Sequence, residues 1–207
     1  MGQSTGADTR DRLLTAAAEL ILKRGYDTVS VSDICTAADV KKGSFYHFFD
    51  SKQELALAGL TTGWDRTKTI VFADAFGDVE RGALASIDRF GALLAEGLER
   101  YQASSGLVVG CGFGNLVVEL GTRDEAVRRR VEQIFDEMRG LIAVSIERGV
   151  TSGELRPDVS PLDAATDVVA LMEGLMVLAK ARRNPSLLLR LGPTMTALIG
   201  GVKPTNS

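Results

Sequence analysis

The stretch "SVSDICTAADVKKGSFYHFFDSKQEL", Ser30–Leu55, decides how this chain folds. Its first four residues place an Asp three positions after a Ser, the spacing of a capping box that opens a helix. That helix runs to Ala38 and meets Asp39, one of the few residue types besides Gly and Asn that tolerate a left-handed backbone. A second short helix follows, and "SKQE" at Ser51–Glu54 opens a longer one. Helix, tight turn, helix is the helix-turn-helix pattern. Ile34, Ala37, Val40, Phe45 and Phe48 are spaced to form a small core between the two helices. On the second helix Lys42, Ser44, Tyr46 and His47 face away from that core, where a major groove would meet them.

Upstream, residues 10–24 carry Leu13, Leu14, Ala17, Leu20 and Ile21 as one apolar stripe at helical spacing, and Gly25 ends the helix. Downstream, "TRDE" at Thr122–Glu125 reads as another box. "SPLD" at Ser160–Asp163 puts Pro at the first helical position, where its missing N–H costs nothing. "NPS" at Asn184–Ser186 repeats the device. The predicted class is therefore all-α: a three-helix DNA-binding head followed by a larger helical domain. Short helices give way to long ones near residue 55, so the expected domains are 1–54 and 55–207.

Bulk properties exclude several classes. The 207 residues are 45% apolar, with a formal net charge of −3. That charge argues against wholesale coating of nucleic acid while permitting a local basic patch. No apolar run approaches the roughly 20 residues that span a bilayer, and "MGQSTGADTRDR" lacks the apolar core of a signal peptide. A cytoplasmic protein without membrane association is expected. Two cysteines and one histidine provide neither a disulfide framework nor a metal site, and neither metal nor cofactor is expected.

The head resembles the DNA-binding domain of TetR-family transcriptional regulators. The carrying residues are "TVSVSD" at Thr28–Asp33, "AADV", "KGSFYHFF" at Lys42–Phe49 and "SKQEL", a match over about residues 9–55. Asp39 stands where the family usually has Gly or Asn, and Lys41 where a small polar residue is common. The expected DNA contacts are Thr28, Ser30, Lys41, Lys42, Gly43, Ser44, Tyr46, His47 and Lys52. Lys42 and Lys52 would meet phosphates, which fix register without reading bases; Thr28 and Ser30 would add hydroxyls, and the cap at Ser30 would offer N–H groups to a phosphate. The resemblance implies that Tyr46 meets a phosphate or a thymine methyl. Lysines and arginines do not outnumber acids across residues 1–55, so binding must rest on a few placed cations, doubled by dimerisation.

A single head offers too little surface for tight specific binding, so a homodimer is expected. The resemblance implies pairing of the long helices near 124–148 and 162–182 across a two-fold axis. It also implies an effector cavity among the middle helices. Trp64, Phe72, Phe90, Leu94, Tyr101, Phe113 and Leu116 are eligible to line it and equally eligible as plain core.

"GLVVGCGFGN", Gly106–Asn115, looks at first like a phosphate-binding loop. A dinucleotide fingerprint needs G-x-G-x-x-G between a strand and a helix; here Asn115 stands where the third glycine should be, and the flanks are helical. The favoured reading is a helix start near Gly110 that continues to Gly121, with Cys111, Asn115 and Val118 on one face. A thiol there would have a lowered pKa. The surrounding "GC…N…E" pattern resembles a branch of TetR-like regulators, some of which respond to electrophiles or oxidants, and Lys180 is placed to approach the thiolate. The effector candidates are thus Cys111, Phe113, Asn115, Trp64 and Lys180. A buried inert thiol beside a cavity for a small apolar or weakly polar ligand is the competing reading. The functional expectation is a dimeric repressor of a palindromic operator, released by a small-molecule, electrophilic or oxidising effector. An effector-independent nucleoid-type protein is one alternative. A cysteine-dependent enzyme is another, and it lacks a base near Cys111, because His47 lies in the head.

Overall fold

The computed structural model describes residues 6–200, and every described element is helical apart from one antiparallel bridge between Leu155 and Gly200. The order is α1 (Gly6–Arg24), α2 (Val31–Ala37), α3 (Lys42–Phe48), α4 (Lys52–Thr67), a π-helical turn (Lys68–Phe72), α5 (Ala73–Phe76), α6 (Ala83–Ser105), α7 (Gly112–Leu120), α8 (Glu125–Ser152) and α9 (Pro161–Arg182). A 3₁₀ segment (Pro185–Arg190) then leads into α10 (Leu191–Ile199). The chain forms two compact units. Among the described residues, the first comprises 6–65 with 112–131, and the second 66–111 with 132–200. By compactness, then, α7 and the start of α8 belong with the N-terminal helices.

In the first unit the helix-turn-helix forms for the reasons its sequence states. Ser30 caps α2 in a reciprocal box: its hydroxyl accepts from Asp33 N–H at 3.1 Å, and the Asp33 carboxylate accepts from Ser30 N–H at 2.8 Å. Asp39 turns the chain at φ 51°, and Gly25 ends α1 at φ 86°. Leu13, Leu14, Ala17, Val29, Ile34, Phe45 and Leu55 are buried together. Two expected core positions move by one residue. Ala37 is exposed and Ala38 buried, because the inward face of α2 is Ile34, Cys35 and Ala38. Phe48 is half-buried, while Phe49, extended beyond the end of α3, fills the core at 5.9 Å from the Phe45 ring.

Other caps differ in detail from the expected boxes. Ser51 does accept from Glu54 N–H at 3.1 Å, but the Glu54 carboxylate takes the N–H of Asp50 instead, at 2.6 Å. At α8 the capping side chain is Asp124, which accepts from Val127 N–H at 3.0 Å, and not Thr122. Ser160 precedes Pro161 without a side-chain cap.

In the second unit Phe72, Phe76 and Phe90 stack with centroids 5.1–5.7 Å apart. They account for two of the expected cavity residues as close-packed core. The start of α6 is capped at long range: the Glu154 carboxylate accepts from Ala83 N–H at 2.7 Å and Leu84 N–H at 2.9 Å. The 3₁₀ segment lies directly on α6 at Gly91, where any Cβ would stand 2.7 Å from the Leu188 carbonyl.

Candidate DNA interface and effector residues

The exposed face of α3 carries Lys42, Gly43, Tyr46 and His47, with Ser44 half-buried and Lys41 exposed just before the helix. Tyr46 is 51% exposed, and its ring meets the buried Phe45 ring edge-on at 5.2 Å. The His47 ring is likewise edge-on to Phe48 at 4.9 Å. A Cβ on Gly43 would meet nothing within 4 Å, which leaves an open surface beside Ser44. These six residues lie together on and beside one short helix.

Three of the other expected DNA contacts have internal work. Thr28 donates its hydroxyl to the Arg24 carbonyl at 2.8 Å. Ser30 donates its hydroxyl to Asp33 at 2.6 Å, and that hydrogen bond holds the Asp33 carboxyl below its usual range. The N–H groups of Ser30 and Asp33 are spent within the box, the first on the Asp33 carboxylate and the second on the Ser30 hydroxyl. Lys52 points inward over the Tyr26 ring, 3.9 Å from its centroid, and donates to the carbonyls of Tyr26 at 2.9 Å and Val29 at 2.8 Å.

The effector candidates fall in both units. Trp64 is fully buried in the first, edge-on to Phe113 at 6.3 Å, and Asn115 is half-buried on α7. Cys111 and Lys180 belong to the second unit. Helix α7 starts at Gly112, so Cys111 directly precedes it, and Val118, expected on its face, is 85% exposed. Gly110, at φ 74°, rests on α9: a Cβ there would lie 3.4 Å from the Met176 carbonyl and 3.7 Å from Lys180 Cδ. The backbone beside Cys111 is therefore seated against the turn of α9 that Lys180 ends. The residue sequence reasoning missed is Glu173, two turns earlier on that helix. Its carboxyl is pushed up by burial, against the opposing pull of a hydrogen bond from the Cys111 thiol. A glutamate within an otherwise apolar helical run was the available signal. Cys35 sits in the head core, where burial pushes its thiol up.

Two family models match the chain. Residues 13–58 match the bacterial regulatory proteins of the tetR family, and residues 86–194 match the tetracyclin repressor-like C-terminal domain. The chain belongs to the TetR family. It is 31% identical over 174 residues to the transcriptional regulator AcuR of Cereibacter sphaeroides, covering 84% of this chain and 77% of that one. It is 27% identical over 187 residues to the transcriptional repressor NemR of Escherichia coli K12, covering 89% and 90%. Among solved structures, a TetR regulatory protein from Rhodobacter sphaeroides superposes with a TM-score of 0.81 at 28% identity, covering 91% of this chain and 97% of the other. The reduced form of E. coli NemR shares the fold with a TM-score of 0.77 at 24% identity, covering 94% and 98%. TetR-family membership makes this chain a DNA-binding transcriptional regulator and not an enzyme, in line with the sequence reading. Among the described residues no helix is long and apolar enough to cross a membrane, and no metal-binding group forms.

Proposed function

We infer that this TetR-family regulator is a homodimeric repressor of a palindromic operator, released by an effector that acts around Cys111. The observation that carries the DNA-binding half is the α3 face, where Lys42, Tyr46 and His47 stand exposed over a buried Phe45. Lys41, Gly43 and Ser44 complete that contact surface. Thr28, Ser30 and Lys52 make hydrogen bonds around the α1–α2 corner and the α2 cap, which supports a positioning role for them beside any DNA contact.

Dimerisation is supported by apolar side chains left in solvent on the two long helices of the second unit. Leu141 and Val144 on α8 are 40% and 56% exposed, and Val177 and Leu178 on α9 are 64% and 47% exposed. On α9 the exposed positions 170, 174, 177, 178 and 181 are Ala, Gly, Val, Leu and Ala, one stripe at helical spacing. Such a stripe suits a second copy of the same helix.

For the effector, Cys111 is partly exposed where Cys35 is buried, which makes it the more accessible of the two cysteines. NemR, similar to this chain over most of its length, has been solved in a form described as reduced, which fits a thiol-based signal. A non-covalent reading also has support. Tyr101 Oη and Glu173 Oε1 are buried without hydrogen-bond partners, atoms a weakly polar ligand would satisfy. The deciding experiment is binding of the full-length protein to the duplex upstream of its own gene, with and without N-ethylmaleimide, for wild type and Cys111→Ser. Release of wild type alone supports the thiol switch. Retention of both proteins removes it and leaves the non-covalent ligand.

A further inference from the structure

Helix α7 is clustered with the DNA head, and the contacts that hold it there converge on one corner. The α1–α2 turn presents two consecutive N–H groups, from Tyr26 and Asp27, and both donate to a single carboxylate, Glu119, at 2.8 and 2.9 Å. Glu119 lies one residue from the end of α7 and 92 residues from Asp27. Gly25, just before this turn, has no side chain, and its vacant Cβ position lies 3.3 Å from Glu119 Oε2. The left-handed residue that ends α1 is thus also the residue that lets a carboxylate reach the corner.

Three further ties surround it. Arg123 forms an ion pair with Asp27. Asp124 accepts from Gln53 Nε2 on α4 at 2.7 Å. Lys52 holds the same corner from its carbonyl side, through Tyr26 and Val29. Tyr26 is therefore gripped by its N–H from α7 and by its C=O from α4. The corner leads straight into the Ser30 cap of α2, and α2 packs on α3.

We propose that Glu119 is a positioning residue for DNA recognition: it fastens the end of α7 to the helix-turn-helix corner, so that displacing α7 re-aims α3. The geometry makes the fastening stiff in a specific way. Two parallel donors on one carboxylate resist both rotation and sliding. A slip of about 1 Å stretches both bonds beyond hydrogen-bonding range, so the corner must follow the helix or let go. An amide cannot substitute, because its single oxygen serves one N–H and its own NH₂ opposes the other. Any event at the start of α7, whichever effector causes it, then reaches the head through this carboxylate, and the inference does not depend on Cys111.

The test uses hydrogen exchange of the full-length protein, with and without a duplex that the protein itself selects from a randomised pool. In wild type, the duplex slows exchange across Gly112–Leu120 by about fivefold or more, the low end of allosteric coupling. In Glu119→Gln the duplex still protects α2 and α3, while the change in α7 falls below about twofold. A purely structural role for Glu119 would lower stability and leave the α7 response intact. The proposal is overturned if α7 in wild type ignores the duplex, or if Glu119→Gln keeps the full α7 response. Glu119→Asp, which keeps the charge at a shorter reach, should restore part of the response and separates the carboxylate's role from any loss of folding in the Gln variant.

Discussion

Replacing Lys52 by Ala separates two roles that the same side chain could have. As a phosphate contact, its loss would leave the fold untouched and lower the salt dependence of DNA binding by about 0.9 in log–log slope for each site. The structure gives it other work: two hydrogen bonds from an ammonium to the Tyr26 and Val29 carbonyls, and a place over the Tyr26 ring. Hydrogen bonds to charged groups contribute about 1.5–3 kcal/mol each. Lys52 is only half-buried, so solvent takes part of that, and about 2–4 kcal/mol is the expected loss for the pair together with the ring contact. In a chain of this size each kcal/mol moves Tm by about 2–4 °C, so Lys52→Ala should melt about 5–15 °C below wild type. The assays are thermal unfolding followed by circular dichroism, and operator affinity across a salt series. A variant that melts like wild type yet loses about one phosphate per head from the salt slope would refute the internal role.

Other substitutions probe separate parts of the molecule. Asp39 sits at φ 51°; Asp39→Gly should be near neutral in urea denaturation, whereas Asp39→Val should cost about 1–2 kcal/mol or more. Glu173 has its carboxyl raised above the ordinary 4.5 by burial. Its folded state holds the proton more tightly than its unfolded state, so the stabilisation from protonation is complete below that ordinary value and is lost as pH rises through the raised one. Glu173→Gln should therefore be more stable than wild type at neutral pH, with the advantage shrinking as the pH falls; an advantage that grows toward acid would sink this assignment. Val144→Asp and Val177→Asp place charges on the exposed apolar faces of α8 and α9. Sedimentation should show monomers and operator affinity should fall sharply, while unfolding of the isolated subunit stays close to wild type.

What the sequence disclosed was local, and what it concealed was long-range. The Ser30 box, the left-handed Asp39, the stop at Gly25 and Pro161 at the head of α9 each depend on neighbours within four residues, and each lies where its chemistry places it. Errors of one residue arise where two positions satisfy the same periodicity. Ala37 and Ala38 both stand a turn from Ile34, and only the packing of α2 decides between them. Cys111 was expected inside α7 because glycine says nothing about which φ it adopts; with Gly110 left-handed, the helix begins beyond it. The Glu119 corner could not be read at all. Its partners lie more than ninety residues away, and a glutamate near the end of an amphipathic helix looks like an ordinary solvated charge. The internal contacts of Lys52 were hidden for the same reason, since no local pattern distinguishes a lysine that reaches outward from one folded over a tyrosine.

The acidic balance of the head shows how little a charge count says about a field. Most of its carboxylates are engaged within the protein. Asp33 is tied to its cap and Asp27 to Arg123. Glu54 takes the Asp50 N–H, and Asp8 and Glu19 lie beside Arg12 and Lys23. Glu119, arriving from α7, is turned onto the α1–α2 corner. Lys41 and Lys42 remain exposed where α3 begins, next to Tyr46 and His47. A phosphate approaching that edge meets cations at close range, while the carboxylates beyond it are offset by their own partners and screened over about 8–10 Å at ordinary ionic strength. A head with no excess of basic residues can thus hold DNA through a few contacts, and its specificity then depends heavily on how well two such edges are positioned. That places the functional weight on the residues that aim α3, the Asp39 turn, Lys52 and Glu119, as much as on the residues that touch the groove.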